Sequence, residues 1–122
     1  MSKVLVVDDA LFMRTALSNM LEEWGLEVVG QGANGQEAVE LYDQLKPDLV
    51  TLDLTMPVMS GLEALKIIME KHPTAKIIMI TALGQQRLIV EAIELGAKDF
   101  ITKPFQRENL KEVIYSVLKI VE

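Results

Sequence analysis

Acidic residues stand at the ends of two apolar runs in the first half of the chain. Asp8 and Asp9 directly follow the run 4–7, and Asp53 directly follows the run 49–52. If the two runs are neighbouring strands, three carboxylates meet in one pocket, where two charges about 5 Å apart repel by roughly 3 kcal/mol. A divalent cation relieves such repulsion, and oxygen ligands suit Mg²⁺, with Mn²⁺ as the alternative ion.

Two further polar residues follow apolar runs in the second half of the chain. Thr81 follows the run 77–80, and Lys103 comes shortly after Phe100-Ile101. The long stem of Lys103 can carry its positive charge to the acidic residues from two strands away. The sequence therefore predicts a pocket that combines a metal site with one amino group and one hydroxyl.

Each of these residues also has an ordinary structural explanation. Asp8 and Asp9 suit the cap and first turn of a helix, and Asp53 suits a turn. Thr81 suits a helix N-cap, and Lys103 suits a solvated surface. Four unrelated accidents would have to place all of them on one rim of one sheet, so the functional interpretation is favoured.

The composition excludes several classes of site and partner. Among the 122 residues there is no cysteine, which rules out disulfides, thiolate zinc sites and cysteine nucleophiles. His72 is the only histidine, so any Ser–His–Asp relay would have to use it. It is predicted to lie on the surface. The net charge of −6 disfavours nucleic acid and anionic membranes. Without an apolar signal region or a run of about 20 apolar residues, a cytoplasmic protein is expected.

Two hydrophobic periods alternate along the chain and predict a single domain over residues 1–122. Short apolar runs, several of them continuous, indicate parallel strands near 3–8, 27–31, 48–53, 76–81 and 98–103. Apolar residues at helical spacing indicate helices near 10–24, 35–46, 61–71, 85–95 and 106–121. This alternation predicts a doubly wound, flavodoxin-like α/β fold, for which the strand order 2-1-3-4-5 is common. Ligands of this fold bind at the carboxyl ends of the strands, where the candidate residues stand.

The chain resembles the receiver domain of two-component response regulators over its whole length. The resemblance rests on the combination of Val6-Val7-Asp8-Asp9, Leu52-Asp53-Leu54-Thr55-Met56-Pro57, Thr81-Ala82 and Lys103-Pro104-Phe105. Two more segments fit the same pattern, Met59-Ser60-Gly61 and Gly96-Ala97-Lys98-Asp99-Phe100. Within the family it is most similar to single-domain chemotaxis regulators, and a protein without an effector domain after the last helix is expected.

The resemblance implies a phosphorylation site among the acids. Asp53 would accept a phosphoryl group from a histidine kinase, acting as a carboxylate nucleophile. Asp9 and Asp53 would ligate Mg²⁺, Asp8 would act largely through a bound water, and the backbone carbonyl of Thr55 would be a further ligand. Such a protein catalyses its own phosphorylation and dephosphorylation but is not a turnover enzyme.

The resemblance also implies a switch. Lys103 would pair with Asp53 and then with the phosphoryl oxygens, and its peptide bond to Pro104 would be cis. Thr81 would turn its hydroxyl to the phosphoryl group, and Phe100, at the family's switch-aromatic position, would fill the space by moving inward. The alternative for Phe100 is ordinary core packing.

Three residues would flank the phosphoryl group, Thr55, Ala82 and Leu83. The family often has an amide or another polar residue at the position of Thr55. Leu83 offers no group that orients an attacking water. Self-dephosphorylation is therefore predicted to be intermediate to slow.

The signal would leave through the face of the fourth helix, fifth strand and fifth helix. The residues predicted for this partner face are Gln86, Val90, Phe100, Lys111, Tyr115 and Lys119. The last three repeat every four residues opposite the apolar stripe and are expected to be exposed, although a solvated helix face is the simpler explanation. The expected partners are a histidine kinase, a target such as a flagellar motor switch protein, and a phosphatase. A monomer without nucleic-acid or membrane contacts is expected.

Other functions are open at this point. A phosphorelay intermediate and the receiver portion of a transcriptional regulator are alternatives within the family. An aspartate-nucleophile phosphatase would need a second acid at the position of Thr55. A flavodoxin-like electron carrier would need a loop rich in Ser, Thr and Gly after the first strand, where the chain has Asp8-Asp9-Ala10-Leu11-Phe12.

Overall fold

A computed structural model describes residues 1–82 and 84–120, in which five strands alternate with five helices. The strands are β1 (Lys3–Val7), β2 (Glu27–Gly32), β3 (Leu49–Asp53), β4 (Ile77–Ala82) and β5 (Asp99–Lys103). The helices are α1 (Leu11–Glu23), α2 (Gly35–Leu45), α3 (Gly61–Lys71), α4 (Gln86–Leu95) and α5 (Arg107–Leu118).

The strands form one parallel sheet in the order β2-β1-β3-β4-β5, which confirms the predicted fold and strand order. Val7 of β1 pairs with Leu52 of β3. The next residues in the chain, Asp8 and Asp53, therefore lie side by side at the same edge of the sheet. Thr81 of β4 pairs with Thr102 of β5, one residue before Lys103. The register therefore brings the predicted site residues to the carboxyl edge of the sheet.

Both faces of the sheet are covered by helices. Val4 and Val6 pack in a core with α1 and α5, whereas Leu5 and Val7 pack in a second core with α2, α3 and α4. Successive strand residues point to opposite faces, so a strand covered on both sides needs apolar residues at every position. The continuous apolar runs have this origin.

Local signals start and end several helices. The side chain of Asn34 accepts a hydrogen bond from the Glu37 backbone N–H at 2.9 Å, and that of Ser60 accepts one from the Glu63 N–H at 3.1 Å. α4 ends at Leu95, and Gly96 follows with a φ of +117°, which is unfavourable for residues with a Cβ atom. Among the described residues, no helix has both the length and the apolar content needed to cross a membrane.

The predicted exposed stripe on the last helix is wrong for Tyr115. Its partly buried ring packs against the core that α1 and α5 share, and its hydroxyl donates to the backbone carbonyl of Trp24 at 3.1 Å. The ammonium of Lys111 lies 5.3 Å from the centre of the Tyr115 ring. α5 ends at Leu118, and Lys119 follows in a left-handed conformation. Lys111 is also partly buried, so only Lys119 of the three predicted residues is exposed.

His72 is half-buried rather than freely exposed. Its Nε2 atom lies 2.8 Å from Oδ1 of Asp43, whose other oxygen accepts from Lys71 at 2.8 Å. The His72 ring also contacts the ring of Tyr42, with centroids 4.8 Å apart. The side chain of the only histidine thus joins the end of α3 to α2.

Candidate functional site

Three carboxyl groups meet at the carboxyl edge of the sheet. Carboxylate oxygens of Asp8, Asp9 and Asp53 all lie within 4.8 Å of one another. Asp8 and Asp53 are buried, with 1% and 7% of their surface exposed, whereas Asp9 is exposed. The predicted acid cluster is therefore present, with its open side at Asp9.

Hydrogen bonds of its side chain and backbone hold Asp8 in place. Its Oδ1 atom accepts from the backbone N–H of Ala10 at 2.9 Å, and its Oδ2 atom accepts from the Lys103 amino group at 2.7 Å. The guanidinium of Arg14 donates to the Asp8 backbone carbonyl at 2.7 Å. Ala10, not Asp8, occupies the N-cap position of α1. Asp8 therefore belongs to the pocket and does not cap the helix.

Lys103 lies between two of the carboxylates. Its amino group is 2.7 Å from Asp8 and 3.6 Å from Oδ2 of Asp53. The sequence predicted its pairing with Asp53, but the shorter contact is to Asp8. The peptide bond between Lys103 and Pro104 is cis, as predicted.

The environment of Asp53 favours its protonated form. Burial is the main cause that raises the pKa of Asp53 to about 6, and the negative charges of Asp8 and Asp9 raise it further. The positive charge of Lys103 and a hydrogen bond from the Leu54 backbone act in the opposite direction. One ammonium therefore compensates the cluster incompletely, which is the condition under which a divalent cation binds well.

The start of α3 packs directly against the backbone of Asp53. The N–H of Gly61 donates to the Leu54 carbonyl at 2.8 Å, and a Cβ atom at Gly61 would lie 1.8 Å from the Asp53 carbonyl oxygen. Only glycine fits this approach. Sequence reasoning cited Gly61 as part of the resemblance but did not identify this contact, and it missed Arg14 entirely, because both contacts depend on tertiary packing.

Three exposed apolar residues stand in the segments that follow Asp9 and Asp53 in the chain. Leu11 and Phe12 begin α1, directly after the acid pair, and Phe12 is 80% exposed. Val58 lies in the loop after β3, is 82% exposed and has a φ of +69°. A β-branched residue in this conformation is strained, and such strain is often associated with functional sites. The three side chains are exposed to solvent and are not packed in either core.

Thr81 directly follows Ile80, which pairs with Asp53 across the sheet, but the Thr81 hydroxyl bonds to other groups. The residue is fully buried, and its hydroxyl donates to Oε1 of Gln85 and, at 3.3 Å, to the backbone carbonyl of Ala82. Thr55 and Ala82 are exposed at the edge of the pocket, and the predicted flanking residue Leu83 lies outside the described residues.

Phe100 is partly exposed, so the alternative that it is an ordinary core residue is wrong. Its side chain is 39% exposed and lines a groove of about 560 Å³ between α4 and β5. Gln86 and Val90 line the same groove. The structure therefore brings together three of the six predicted partner-face residues and leaves Lys111, Tyr115 and Lys119 outside the groove lining.

Comparison with known proteins gives close matches. The family model described as response regulator receiver domain matches residues 4–115. Chemotaxis protein CheY of Listeria monocytogenes is 55% identical over 119 residues, which cover 98% of this chain and all of the relative. CheY of Thermotoga maritima is 53% identical over 117 residues, which cover 96% and 98% of the two chains. A Bacillus subtilis relative at 52% identity carries another name, Protein CcdB.

Solved structures agree with this comparison. The CheX–CheY–BeF3–Mg²⁺ complex from Borrelia burgdorferi contains a chain with a TM-score of 0.92 and 38% identity, matched over 99% of this chain and 90% of that one. The response regulator domain of Thermotoga maritima CheB has a TM-score of 0.90 and 38% identity, with 100% and 99% covered. Sequence, fold and acidic cluster agree, and the chain belongs to the response regulator receiver domain family.

Proposed function

We propose that this receiver domain accepts a phosphoryl group on Asp53 from a histidine kinase and thereby controls a partner in chemotaxis. One observation carries the proposal: three carboxylates lie within 4.8 Å of one another, with the Lys103 amino group against two of them. Membership of the receiver domain family argues against the phosphatase and the electron carrier as alternatives.

The chemotaxis role is supported by relatives above 50% identity that are named CheY. The structural neighbours also include receiver domains of LuxR-family regulators, at 30% identity or below. The fold also suits the two alternatives, a phosphorelay intermediate and the receiver portion of a transcriptional regulator. The LuxR-family regulators are, however, less similar to this chain in sequence than the CheY proteins are.

The residues present fit a Mg²⁺ ion. Asp9 and Asp53 would hold it directly, Asp8 through a water, and the Thr55 backbone carbonyl would complete the protein ligands. When bound, the ion neutralises charge on the phosphoryl oxygens. The acidic donor set and the raised pKa of Asp53 support this assignment, because both reflect negative charge that Lys103 alone does not compensate.

In the transfer step, a carboxylate oxygen of Asp53 attacks the phosphorus atom of a phosphohistidine. The new O–P bond forms as the P–N bond breaks, and the imidazole leaves with the bonding electron pair and takes up a proton. Lys103 would hold a developing charge on the phosphoryl oxygens. Autocatalysis needs only these positioned charges and no general base.

The mouth of the pocket supports a protein as phosphodonor. Asp53 is 7% exposed, so a donor imidazole has to enter the pocket and its carrier has to cover the rim. Leu11, Phe12 and Val58 offer this carrier exposed apolar surface. The rim therefore favours a histidine on a folded partner over a free metabolite as the main donor.

On the output side, Thr81 would move towards the phosphoryl group and Phe100 would turn inward from the groove. The groove with Gln86 and Val90 would then change shape for a target such as a flagellar motor switch protein. A phosphatase is a further expected partner, and self-dephosphorylation is expected to be intermediate to slow. A phosphoryl half-life of a few seconds would contradict the last expectation.

The experiment that tests the acceptor uses acetyl phosphate with Mg²⁺ and intact-mass measurement. The unsubstituted protein and Asp48→Asn, a control at an exposed aspartate, are expected to gain one phosphoryl group. Asp53→Asn is expected to gain none while keeping its circular dichroism spectrum. Undiminished labelling of Asp53→Asn would exclude it as the acceptor.

The metal site is tested separately by Asp9→Ala. This change removes a ligand and also relieves charge repulsion, so Mg²⁺ affinity is expected to fall at least tenfold while the melting temperature without Mg²⁺ rises or stays unchanged. Isothermal titration and thermal melting measure the two effects. Mg²⁺ affinity equal to that of the unsubstituted protein would refute the ligand role.

A further inference from the structure

We infer that Gln85 is a positioning residue that holds Thr81 away from the acceptor and thereby sets how strongly the switch resists activation. We call the side-chain hydrogen bond between Gln85 and Thr81 the latch. The inference rests on the proposed function, because it assumes that Thr81 moves towards a phosphoryl group on Asp53.

The Thr81 hydroxyl depends on Gln85 for its hydrogen bond. Thr81 is fully buried, so its hydroxyl cannot form a hydrogen bond with bulk water in this position. Its other acceptor, the Ala82 carbonyl, is 3.3 Å away, which is long for a bond donated by a hydroxyl. Oε1 of Gln85 is therefore the principal acceptor. Without it, a buried donor would lose most of its hydrogen bonding.

The side chain of Gln85 is turned towards β4 and away from its own helix. Gln85 occupies the N-cap position of α4, yet its side chain forms no capping bond with the described residues. Its backbone carbonyl accepts from the N–H of Ile89 at 3.1 Å. The latch therefore joins the end of β4 to the first turn of α4.

The latch also reaches the predicted output surface. Gln85 lines the groove that Phe100, Gln86 and Val90 share. Opening the latch frees both the Thr81 hydroxyl and the first turn of α4. One bond can thus link the position of Thr81 to the shape of the groove.

The latch exists only in the state with Thr81 turned outward, so it stabilises that state selectively. Thr81 cannot donate its single proton both to Gln85 and to a phosphoryl oxygen. A ligand shifts such an equilibrium only by its difference in affinity for the two states, and part of that difference is used to break the latch. Removing the acceptor is expected to tighten binding of a phosphoryl mimic about two- to tenfold, as for one hydrogen bond.

The test is a titration of the full chain with beryllofluoride at saturating Mg²⁺, followed by calorimetry. Gln85→Met removes the acceptor with little change in length and is expected to bind two- to tenfold more tightly. Gln85→Ala is a second variant that removes the same acceptor. Gln44→Met is the matched control, because Gln44 is an exposed glutamine of α2 that does not line the groove. The control is expected to bind like the unsubstituted protein.

A repeat in the Thr81→Val background separates the latch from a general loosening of α4. The gain caused by Gln85→Met is expected to vanish there, because no hydroxyl remains to be held. Equal affinities of Gln85→Met and the unsubstituted protein, or a gain that persists with Thr81→Val, would overturn the latch alone. Failure of the unsubstituted protein to bind beryllofluoride with Mg²⁺ would overturn the proposed function and the latch with it.

Discussion

At the residue scale, the reactivity of the site depends on the surroundings of one carboxylate. Burial raises the pKa of Asp53 to about 6, and Asp8 and Asp9 act in the same direction. Lys103, 3.6 Å away, counteracts them only in part. The same charges that make the pocket a cation site therefore make it unfavourable for the folded protein without a cation.

This conflict predicts an unusual pH dependence of stability without Mg²⁺. Because the pKa of Asp53 is higher in the folded than in the unfolded protein, the folded state binds the proton more tightly. Stability is therefore expected to fall as the pH rises from about 4 to about 6, and to lose up to about 3 kcal/mol of unfolding free energy from this group.

Asp53→Asn lacks the titrating group, so its unfolding free energy is not expected to decrease over this pH range because of this position. Chemical unfolding from pH 4 to 7.5 in the presence of a chelator measures the difference, with Asp48→Asn as control. The gain in stability from Asp53→Asn is expected to be largest above pH 6. A gain of the same size at pH 4 would contradict the ionic origin of the effect.

At the element scale, the positions of strands and helices determine how accurately the site is built. β1 and β3 are paired, which places Asp8 and Asp53 together, and α3 starts against the backbone of Asp53. The Ser60 cap and the hydrogen bond from Gly61 to Leu54 fix this start. The acceptor is therefore supported by the helix that follows it in sequence.

Gly61→Ala tests this support. A Cβ atom 1.8 Å from the Asp53 carbonyl cannot be accommodated without a backbone shift, so a loss of about 1–3 kcal/mol or more in unfolding free energy is expected. The rate of phosphorylation by acetyl phosphate is also expected to fall at least tenfold, since Asp53 itself is displaced.

Gly96→Ala serves as the control for lost stability alone. Its φ of +117° makes alanine unfavourable, but it lies at the end of α4, away from Asp53 in the fold. It is expected to lower stability and leave the phosphorylation rate unchanged. Equal rates in Gly61→Ala and Gly96→Ala would show that the contact does not position the acceptor.

At the scale of the whole molecule, one edge of the sheet connects the acid cluster with the groove. The cluster lies at the ends of β1 and β3, Thr81 lies near the end of β4, and Phe100 lies on β5. These strands are adjacent in this order, so a change at Asp53 needs to pass only one strand to reach the groove. The input and output surfaces are therefore neighbouring parts of a small domain.

Thr81→Ala is expected to uncouple these two surfaces. It leaves the carboxylates and Lys103 intact, so the variant is expected to accept phosphate. The unsubstituted protein is expected to bind its target about 5–150-fold more tightly when phosphorylated, and Thr81→Ala is expected to lose most of this gain. Binding to a purified motor switch protein, with and without phosphorylation, measures it. A full gain in Thr81→Ala would exclude the proposed switch.

Much of this arrangement was predictable because local pattern and the rules of parallel sheets suffice for it. Continuous apolar runs mark strands covered on both faces, and polar residues directly after them must lie at the carboxyl edge. The element order, the sheet order and the cluster of Asp8, Asp9 and Asp53 with Lys103 and Thr81 follow from this reasoning and from the family resemblance.

The remaining features depend on how side chains from distant segments approach one another. Helical spacing placed Tyr115 opposite the apolar stripe, but the free carbonyl of Trp24 at the end of α1 draws its hydroxyl inward. Likewise, the preference of Lys103 for Asp8, 95 residues apart in the chain, results from packing between elements.

The amino-acid sequence by itself determined which residues reach the carboxyl edge, because side-chain period and strand ends are local properties. Only the tertiary structure decided which of them touch: that Lys103 lies closer to Asp8 than to Asp53, and that Thr81 bonds to Gln85. Such contacts depend on differences of about an ångström in how helices and strands pack. A hydrogen bond is sensitive to these differences, whereas a hydrophobic pattern is not.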